Sequence, residues 1–367
     1  MIETKGVQST LDIDFMRVAI GLAGRGLGNT FPNPAVGCVL VKDGLIVGRG
    51  WTAPGGRPHA ETQAIHQAGS KAQGATVYVT LEPCSHVGQT PPCAKALIKA
   101  KISRLVVAVA DPDPRVSGRG LKMVRDAGVS VTENVCQKEA WQANIGYFLS
   151  KTNGRPMFTL KLATDQAGQI PGPNASGDAR WITSPTARQR GHLLRAKHDA
   201  VLFGIGTVMV DDPEYTCRLA GMKHLSPIRI VLDSHLRVQT SSKLLQSAKS
   251  APIWIICGKD AKERTDLNVA NVTVIQAPDV RPDPLWIAKE LASRGITRVL
   301  IETGPTLVDA FIQADLIDEM AWFRSTKILT DGSVAAFSEK NREKLALTRQ
   351  AVLQAGPDQL ELYVKGT

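Results

Sequence analysis

The stretch from His59 to Cys93 constrains this chain more than any other. It carries His59-Ala60-Glu61, then Pro83-Cys84, then Cys93 after the insert Ser85-His86-Val87-Gly88-Gln89-Thr90-Pro91-Pro92. One imidazole and two thiolates are three of the four ligands of a tetrahedral Zn²⁺, and a site with three protein ligands keeps its fourth position for water. Whatever fold the chain takes has to bring these three segments to one point. Glu61 stands two residues from the His ligand, the spacing of a carboxylate that carries protons without coordinating the metal. The chemistry such a set supports is hydrolytic deamination: water adds to an amidine-type carbon while Glu61 delivers protons to the ring nitrogen and to the departing ammonia.

Taken singly the pieces are weak, since a His-x-Glu tripeptide arises by chance and two cysteines are more often buried thiols. Their order is that of the zinc deaminases, although the usual cysteine spacing of two residues is eight here. The long insert can wrap one side of a pocket, with His86 either a substrate contact or a competing metal ligand.

At 367 residues the chain is long enough for two domains, each with its own core. Its 43% hydrophobic and 21% charged content is that of a globular protein. The sequence has no apolar run of the roughly 18 residues that a membrane span needs. Nor is there a leader-like segment over Met1 to Leu11, so a cytoplasmic protein is expected. Six cysteines (Cys38, Cys84, Cys93, Cys136, Cys217, Cys257) make no disulfide framework and suit a reducing compartment. The net charge of +10 divides evenly between the halves without a dense basic block, and aromatic content is only 5%. That pattern argues against nucleic acid as partner and suits small anionic substrates such as phosphates.

In chain order, Asp14 reads as the N-cap of a helix through Phe15, Val18, Ala19 and Leu22, stopped by Gly24, Gly26 and Gly28. Val36 to Val41 and Leu45 to Val47 flank Lys42-Asp43-Gly44 as a hairpin. A helix is expected from His59 to Ala68, a buried strand from Val77 to Leu81, and a helix from Cys93 to Ala100. Both metal segments thus fall at helix starts, where the dipole favours thiolate. A strand follows at Leu105 to Ala110, a helix at Leu121 to Ala127, a strand at Val129 to Val131 and a helix at Lys138 to Leu149. Lys151-Thr152-Asn153-Gly154-Arg155-Pro156 reads as the linker.

The second half repeats the α/β rhythm. Strands are expected at Met157 to Leu162, Ala200 to Phe203, Ile228 to Leu232, Ile253 to Cys257, Val272 to Ile275, Val299 to Ile301 and Leu360 to Val364. Ser184-Pro185 opens a helix to Lys197. Gly204-Ile205-Gly206-Thr207 and Glu302-Thr303-Gly304-Pro305-Thr306 read as turns after strands, the second opening a helix from Leu307 to Gln313, a geometry that binds phosphate. Neither is a Gly-x-Gly-x-x-Gly fingerprint.

Asn33-Pro34-Ala35-Val36-Gly37-Cys38-Val39, His59-Ala60-Glu61, and Thr80-Leu81-Glu82-Pro83-Cys84-Ser85-His86 through Thr90-Pro91-Pro92-Cys93 resemble the bifunctional deaminase-reductases of bacterial riboflavin biosynthesis. Trp181-Ile182-Thr183-Ser184, Leu193-Leu194-Arg195, Thr207-Val208, Asp211-Asp212-Pro213, Arg218 and Glu302 through Leu307 resemble that family's reductase half in order. The resemblance implies an α/β protein with a cytidine-deaminase-like α/β/α domain over 1–150 and a dihydrofolate-reductase-like α/β domain over 151–367. It implies Zn²⁺ at His59, Cys84 and Cys93 with Glu61 catalytic, and NADPH in the second domain. The reactions implied are removal of the 2-amino group of 2,5-diamino-6-(5-phosphoribosylamino)pyrimidin-4(3H)-one, then reduction of its ribosyl group to ribityl.

By the same resemblance Asn33 and His86 hold or flank the pyrimidine. Ala163, Trp181, Thr207, Asp211, Ser234, Gly304, Pro305, Thr306 and Leu307 lie along NADPH. Arg195, Tyr215, Arg218 and Glu302 surround the reductase substrate, where two guanidinium forks also suit a phosphate on chemical grounds. A homo-oligomer is expected. One segment departs from the family: Lys161-Leu162-Ala163-Thr164-Asp165-Gln166-Ala167-Gly168 lacks a usual Ser and Asp, and a longer loop precedes Trp181. Ala179 stands where a hydroxyl contact is usual. A deaminase with a reductase-like domain of altered activity is therefore the alternative. A nucleic-acid-editing deaminase would not need the second domain, and a non-enzymatic zinc protein would close its coordination with a fourth ligand.

Overall fold

Glycines on the sheet decide how closely helices pack in the first half of the chain. The computed structural model describes residues 9–86, 91–113, 117–172, 181–329 and 332–366, and the chain divides into two compact units, Met1–Asn153 and Gly154–Thr367. The first unit runs α1 (Thr10–Ala23), β1 (Gly37–Lys42), β2 (Leu45–Trp51), α2 (Ala60–Ala68), β3 (Thr76–Val79), α3 (Cys93–Lys99), β4 (Arg104–Val107), α4 (Arg119–Asp126), β5 (Ser130–Thr132), α5 (Gln137–Ala143) and α6 (Ile145–Thr152). Its sheet has the order β2-β1-β3-β4-β5. β1 is antiparallel to both neighbours, and β3, β4 and β5 are parallel. The Asp43-Gly44 turn has φ of 52° and 76°. Paired positive values belong to the two-residue hairpin turn whose twist matches its strands.

A Cβ on Gly48 would stand 2.2 Å from the Ala64 carbonyl oxygen, and one on Gly50 would stand 2.1 Å from that of Ala60. Gly37 has the same relation to the Ala19 carbonyl in α1, at 1.9 Å. The helices lie directly on the strand backbones. Buried aliphatic residues of β1, β3 and β4, with Met16, Leu22, Leu97, Leu121 and Phe148 from the helices, fill the core.

The second unit contains β6 (Met157–Thr164), β7 (Gln169–Ile170), α7 (Pro185–Ala196), β8 (Ala200–Gly204), α8 (Ile205–Asp211), β9 (Ile228–Leu232), α9 (Lys243–Gln246), β10 (Ile253–Cys257), β11 (Val272–Gln276), α10 (Pro284–Ser293), β12 (Arg298–Ile301), α11 (Pro305–Gln313), β13 (Glu319–Arg324), β14 (Val334–Ala335), α12 (Glu339–Lys344), β15 (Leu347–Ala355) and β16 (Asp358–Lys365). Nine strands form one sheet in the order β11-β10-β9-β8-β12-β6-β13-β16-β15, and β7 pairs with β14. The sheet is parallel from β11 to β13 and antiparallel at β16 and β15. Central strands of a parallel sheet are covered on both faces. β8 and β12 are accordingly buried at every residue.

Several expectations need correction. The first helix begins four residues before Asp14, at Thr10 after Ser9, and so carries Asp12 inward to accept from Tyr78 Oη at 2.9 Å and the Arg104 guanidinium at 2.8 and 2.9 Å. The expected helix from Lys138 to Leu149 is two helices. Asn144, at φ −120°, interrupts them and accepts the Ala35 amide at 3.4 Å. Lys151 and Thr152 belong to α6 rather than to a linker, and Ile205 to Asp211 is a helix rather than a turn. β13, β15, α9, α10 and α12 are additional to the sequence expectation.

Candidate active sites

In the first unit the loop ending at Pro58 places His59 at the N-cap of α2, and β3 leads through Glu82-Pro83 to Cys84. Cys93 is the first residue of α3. The His59 Nδ1 lies 3.2 Å from Cys93 Sγ and 3.7 Å from Cys84 Sγ. All three donor atoms fall within 4.8 Å of one another, and His86 is not in the cluster. Tetrahedral Zn²⁺ with bonds of about 2.0 Å to nitrogen and about 2.3 Å to sulfur would hold N and S about 3.5 Å apart. The observed separations straddle that value, so these donors fit the metal.

Thiolate character is unequal in the pair. The Cys93 thiol hydrogen bond, aided by His59 and by the Cys93 amide at 3.3 Å, holds Cys84 down to about 4, while the same contact and burial push Cys93 well up. The first amide of α3 thus acts on the sulfur of Cys84. Zinc takes cysteines as thiolates, so metal binding has to release any proton that the Cys84–Cys93 pair retains. Glu61 is 4% exposed; burial first, then the Cys84 thiolate, raises its carboxyl above the usual range, with His59 opposing.

A cavity of about 190 Å³ opens over His59, Glu61 and Cys84, with Asn33, Arg57 and His86 also lining it. Gly56, at φ 83°, makes room for Asn33: a Cβ there would sit 2.1 Å from Asn33 Nδ2. His86 is exposed, and residues 87–90 of the insert lie outside the described residues. Four further polar groups of the lining, Asp111, Asp113, Tyr147 and Lys151, are marked by no sequence motif. Glu82 has a structural task, accepting four backbone amides, those of Asp111, Gly118, Gly120 and Leu121, at 2.9 to 3.3 Å.

In the second unit two adjoining cavities of about 610 and 630 Å³ share Lys161, Ala163, Pro171, Asp211, Tyr215 and Glu302. One extends past Trp181, Arg195 and Arg218; the other passes Thr207 and Gly304-Pro305-Thr306-Leu307. The starts of α8 and α11 carry no side-chain cap, and Gly204 and Gly304 are their N-caps. Bare first-turn amides beside glycine backbone fit the phosphates of a dinucleotide. A Cβ on Gly204 would meet Leu307 Cδ1 at 2.7 Å, so the glycine leaves room for that side chain at the end of β8.

Arg195 grips Glu302 with Nε and Nη2 at 2.6 and 2.9 Å, and Lys161 Nζ lies 3.8 Å from the same carboxylate. Burial alone would raise Glu302, but Arg195 and then Lys161 hold it down to about 2. Lys161 is pushed below its usual range by burial, against the pull of Glu302. Burial and the Arg195 and Arg218 charges bring His192 down to about 4. Tyr215 donates to the Glu302 carbonyl at 3.0 Å and stacks on Phe203.

Trp181, expected along the cofactor, lines the cavity of Arg195 and Arg218 together with Ala163 and Asp211. Ser234 lines neither cavity among the described residues; its carbonyl accepts the Gly258 amide at 3.1 Å. Lys161, at the shared wall, was missed as a site residue although the resemblance contains it. In the departing segment both oxygens of buried Asp165 accept backbone amides, from Gln169 at 2.8 Å and Leu329 at 3.2 Å. The loop before Trp181 lies outside the described residues at 173–180, Ala179 included.

Residues 9–109 match the cytidine and deoxycytidylate deaminase zinc-binding region, and residues 173–360 match the RibD C-terminal domain. The riboflavin biosynthesis protein RibD of Aquifex aeolicus is 38% identical over 350 residues, 95% of this chain and 97% of that protein. The solved Acinetobacter baumannii RibD is 36% identical with a TM-score of 0.86, over 97% of this chain and 99% of that one. A Thermotoga maritima diaminohydroxyphosphoribosylaminopyrimidine deaminase/5-amino-6-(5-phosphoribosylamino)uracil reductase is 32% identical with a TM-score of 0.84, at the same coverages.

Fold and sites define a two-domain enzyme, a zinc deaminase of the cytidine and deoxycytidylate deaminase type joined to an α/β reductase domain. The expected α/β class and the zinc of the deaminase domain stand. The chain belongs to the RibD family of riboflavin biosynthesis proteins and is a bifunctional deaminase and reductase acting on a small molecule. No helix among the described residues is long and apolar enough to cross a membrane.

Proposed function

We propose that residues 1–150 deaminate 2,5-diamino-6-(5-phosphoribosylamino)pyrimidin-4(3H)-one and that residues 151–367 reduce the ribosyl group of the product, giving 5-amino-6-(5-phosphoribitylamino)uracil. The observation that carries this reading is the convergence of His59, Cys84 and Cys93 beside buried Glu61 in a cavity of single-ring size. Zn²⁺ held by those three residues supplies an activated water when bound. Glu61 would take the water's first proton and pass it to the ring nitrogen, then take the second from the hydroxyl left on the ring carbon and pass it to the leaving amine, while Asn33 and His86 orient the ring. Ammonia leaves, and a carbonyl takes its place.

For the reduction, the wall shared by the two cavities is the meeting place of cofactor and substrate. Ala163, Thr207, Asp211 and the Gly304–Leu307 turn line the nicotinamide cofactor, and Trp181 stands on the substrate side of the cleft. Arg218 faces the substrate's phosphate, and the Arg195–Glu302 pair with Tyr215 shapes the pocket for its hydroxyls. Lys161, at the wall common to both cavities, is placed to give a proton to the ribose ring oxygen as that oxygen leaves the carbon that takes up hydride. The enzyme acts in the cytoplasm as a homo-oligomer.

The test is incubation with the diaminopyrimidine substrate, with and without NADPH, and identification of products by mass. Ammonia and the deaminated ribosyl compound are expected without NADPH, and the ribityl compound with it. Deamination with no NADPH oxidation would leave the altered-reductase reading in force.

A further inference from the structure

Side chains of α6 and of the neighbouring loop form a wall of the deaminase cavity that the reaction scheme above does not use. Asp111 accepts the Asp113 amide at 2.9 Å and the Tyr147 hydroxyl at 3.1 Å. Asp113, 6% exposed, has Lys151 Nζ 3.9 Å from its carboxylate, and the same ammonium stands 5.5 Å over the Tyr147 ring. All four line the cavity that holds His59, Glu61 and Cys84. α6 is a firm support: Tyr147 and Phe148 are buried, and Phe148 stacks on Trp141 at 4.0 Å. The last turn of the helix therefore delivers Lys151 to a fixed place.

We propose that Lys151 is a specificity-determining residue of the deaminase reaction, recognising the phosphate-bearing arm of the substrate at the cavity's acidic wall. The inference rests on the phosphorylated substrate proposed above. The cavity measures about 190 Å³. Sites that enclose a drug-sized ligand begin at roughly 300 Å³. This one takes the ring that reaches the metal donors, and the sugar phosphate has to run along the lining. Two neighbouring carboxylates there would repel a phosphate strongly at short range. Lys151 cancels one of them. Its ammonium stands 3.9 Å from Asp113. A direct charge-assisted hydrogen bond is shorter, at roughly 2.8 Å, so the ammonium keeps N–H donors for an incoming oxygen. The Lys151 side chain is 32% exposed, open enough to be reached.

The test compares ammonia release from the phosphorylated substrate and from its phosphate-free ribosylamino counterpart in the unmutated enzyme and in Lys151→Met and Lys151→Arg, the whole chain being used throughout. Lys151→Met should raise KM for the phosphorylated substrate roughly tenfold with kcat little changed, and leave KM for the phosphate-free one within about twofold. Lys151→Arg should restore most of the loss. Ribose 5-phosphate should inhibit ammonia release by the unmutated enzyme and do so several-fold less well in Lys151→Met. Equal changes for both substrates, or none, would overturn the role of Lys151 while leaving the deaminase intact. Absence of ammonia release from either substrate by the unmutated enzyme would instead remove the substrate reading on which the role stands.

Discussion

The two sites are built by different rules. In the first unit the chemistry is concentrated in atoms: one nitrogen, two sulfurs and a carboxylate, within a stretch from His59 to Cys93. In the second it is spread over backbone. The side proposed for the cofactor is the bare starts of α8 and α11, and the side proposed for the substrate is braced by the Arg195–Glu302 pair, whose members lie 107 positions apart. A metal centre tolerates few substitutions at few positions, whereas a dinucleotide cleft distributes its demands over many weak contacts. Losing one residue should therefore be catastrophic in the first site and graded in the second.

The sharpest break is Cys84→Ser. It should release the metal and abolish ammonia release, while reduction of already deaminated substrate stays close to normal; metal content by atomic emission and both assays check it. Retention of a full equivalent of zinc would remove Cys84 from the ligand set.

Next in size is Arg195→Met, which leaves the Glu302 carboxylate buried beside Lys161 alone. Breaking such a pair from one side costs about 3–5 kcal/mol, read as a lower urea midpoint. The pair also has a pH signature. Glu302 is depressed to about 2 in the folded protein. Its stabilisation is therefore complete above the ordinary carboxylate range, and is lost as pH falls through that range toward the folded value. The substituted protein should show a shallower dependence of stability on pH between about 5 and about 2. An unchanged acid-unfolding profile would contradict the strength given to this contact.

Glu61→Gln keeps size and hydrogen bonding without a transferable proton, so zinc should remain while deamination falls by ~10² or more. Near-normal turnover would free Glu61 of that task. The smallest effect belongs to Arg218→Ala, expected to slow reduction roughly tenfold while ammonia release continues. A loss as complete as that of Cys84→Ser would erase the contrast between concentrated and distributed sites.

The same contrast explains what could be read from the sequence. His59, Glu61, Cys84 and Cys93 are legible because metal chemistry admits few residue types at few spacings. Lys151 and Asp113 are not, because nothing local marks a lysine in a helix's last turn as facing a cavity. Apolar runs such as Ile228 to Leu232 and Ile253 to Cys257 give the buried parallel strands at their true limits. β15 escapes, since Leu347 to Ala355 is an outer strand largely exposed on both faces and shows no clean alternation. α8 escapes for another reason: a short segment with Gly206 and β-branched neighbours has little intrinsic helicity, and tertiary packing at Ile205 and Val208 forms it. α10, by contrast, carries signals that the expectation passed over. Asp283 accepts the Leu285 and Trp286 amides ahead of Pro284, and Ile287, Ala288 and Leu291 make a buried stripe.

The glycines of β2 give the metal site a reference height. Because α2 rests on the bare backbone of Gly48 and Gly50, the elevation of its first turn above the sheet, and with it the height of His59, is set by the absence of two methyl groups. A single methyl at position 50 would raise the helix like a shim under a mounted lens. The donor on α2 would then stand off from sulfurs mounted on β3 and α3, and the centre would lose its focus without any ligand having been changed. Tuning of this enzyme's metal affinity is thus open to change at positions that carry no chemistry of their own.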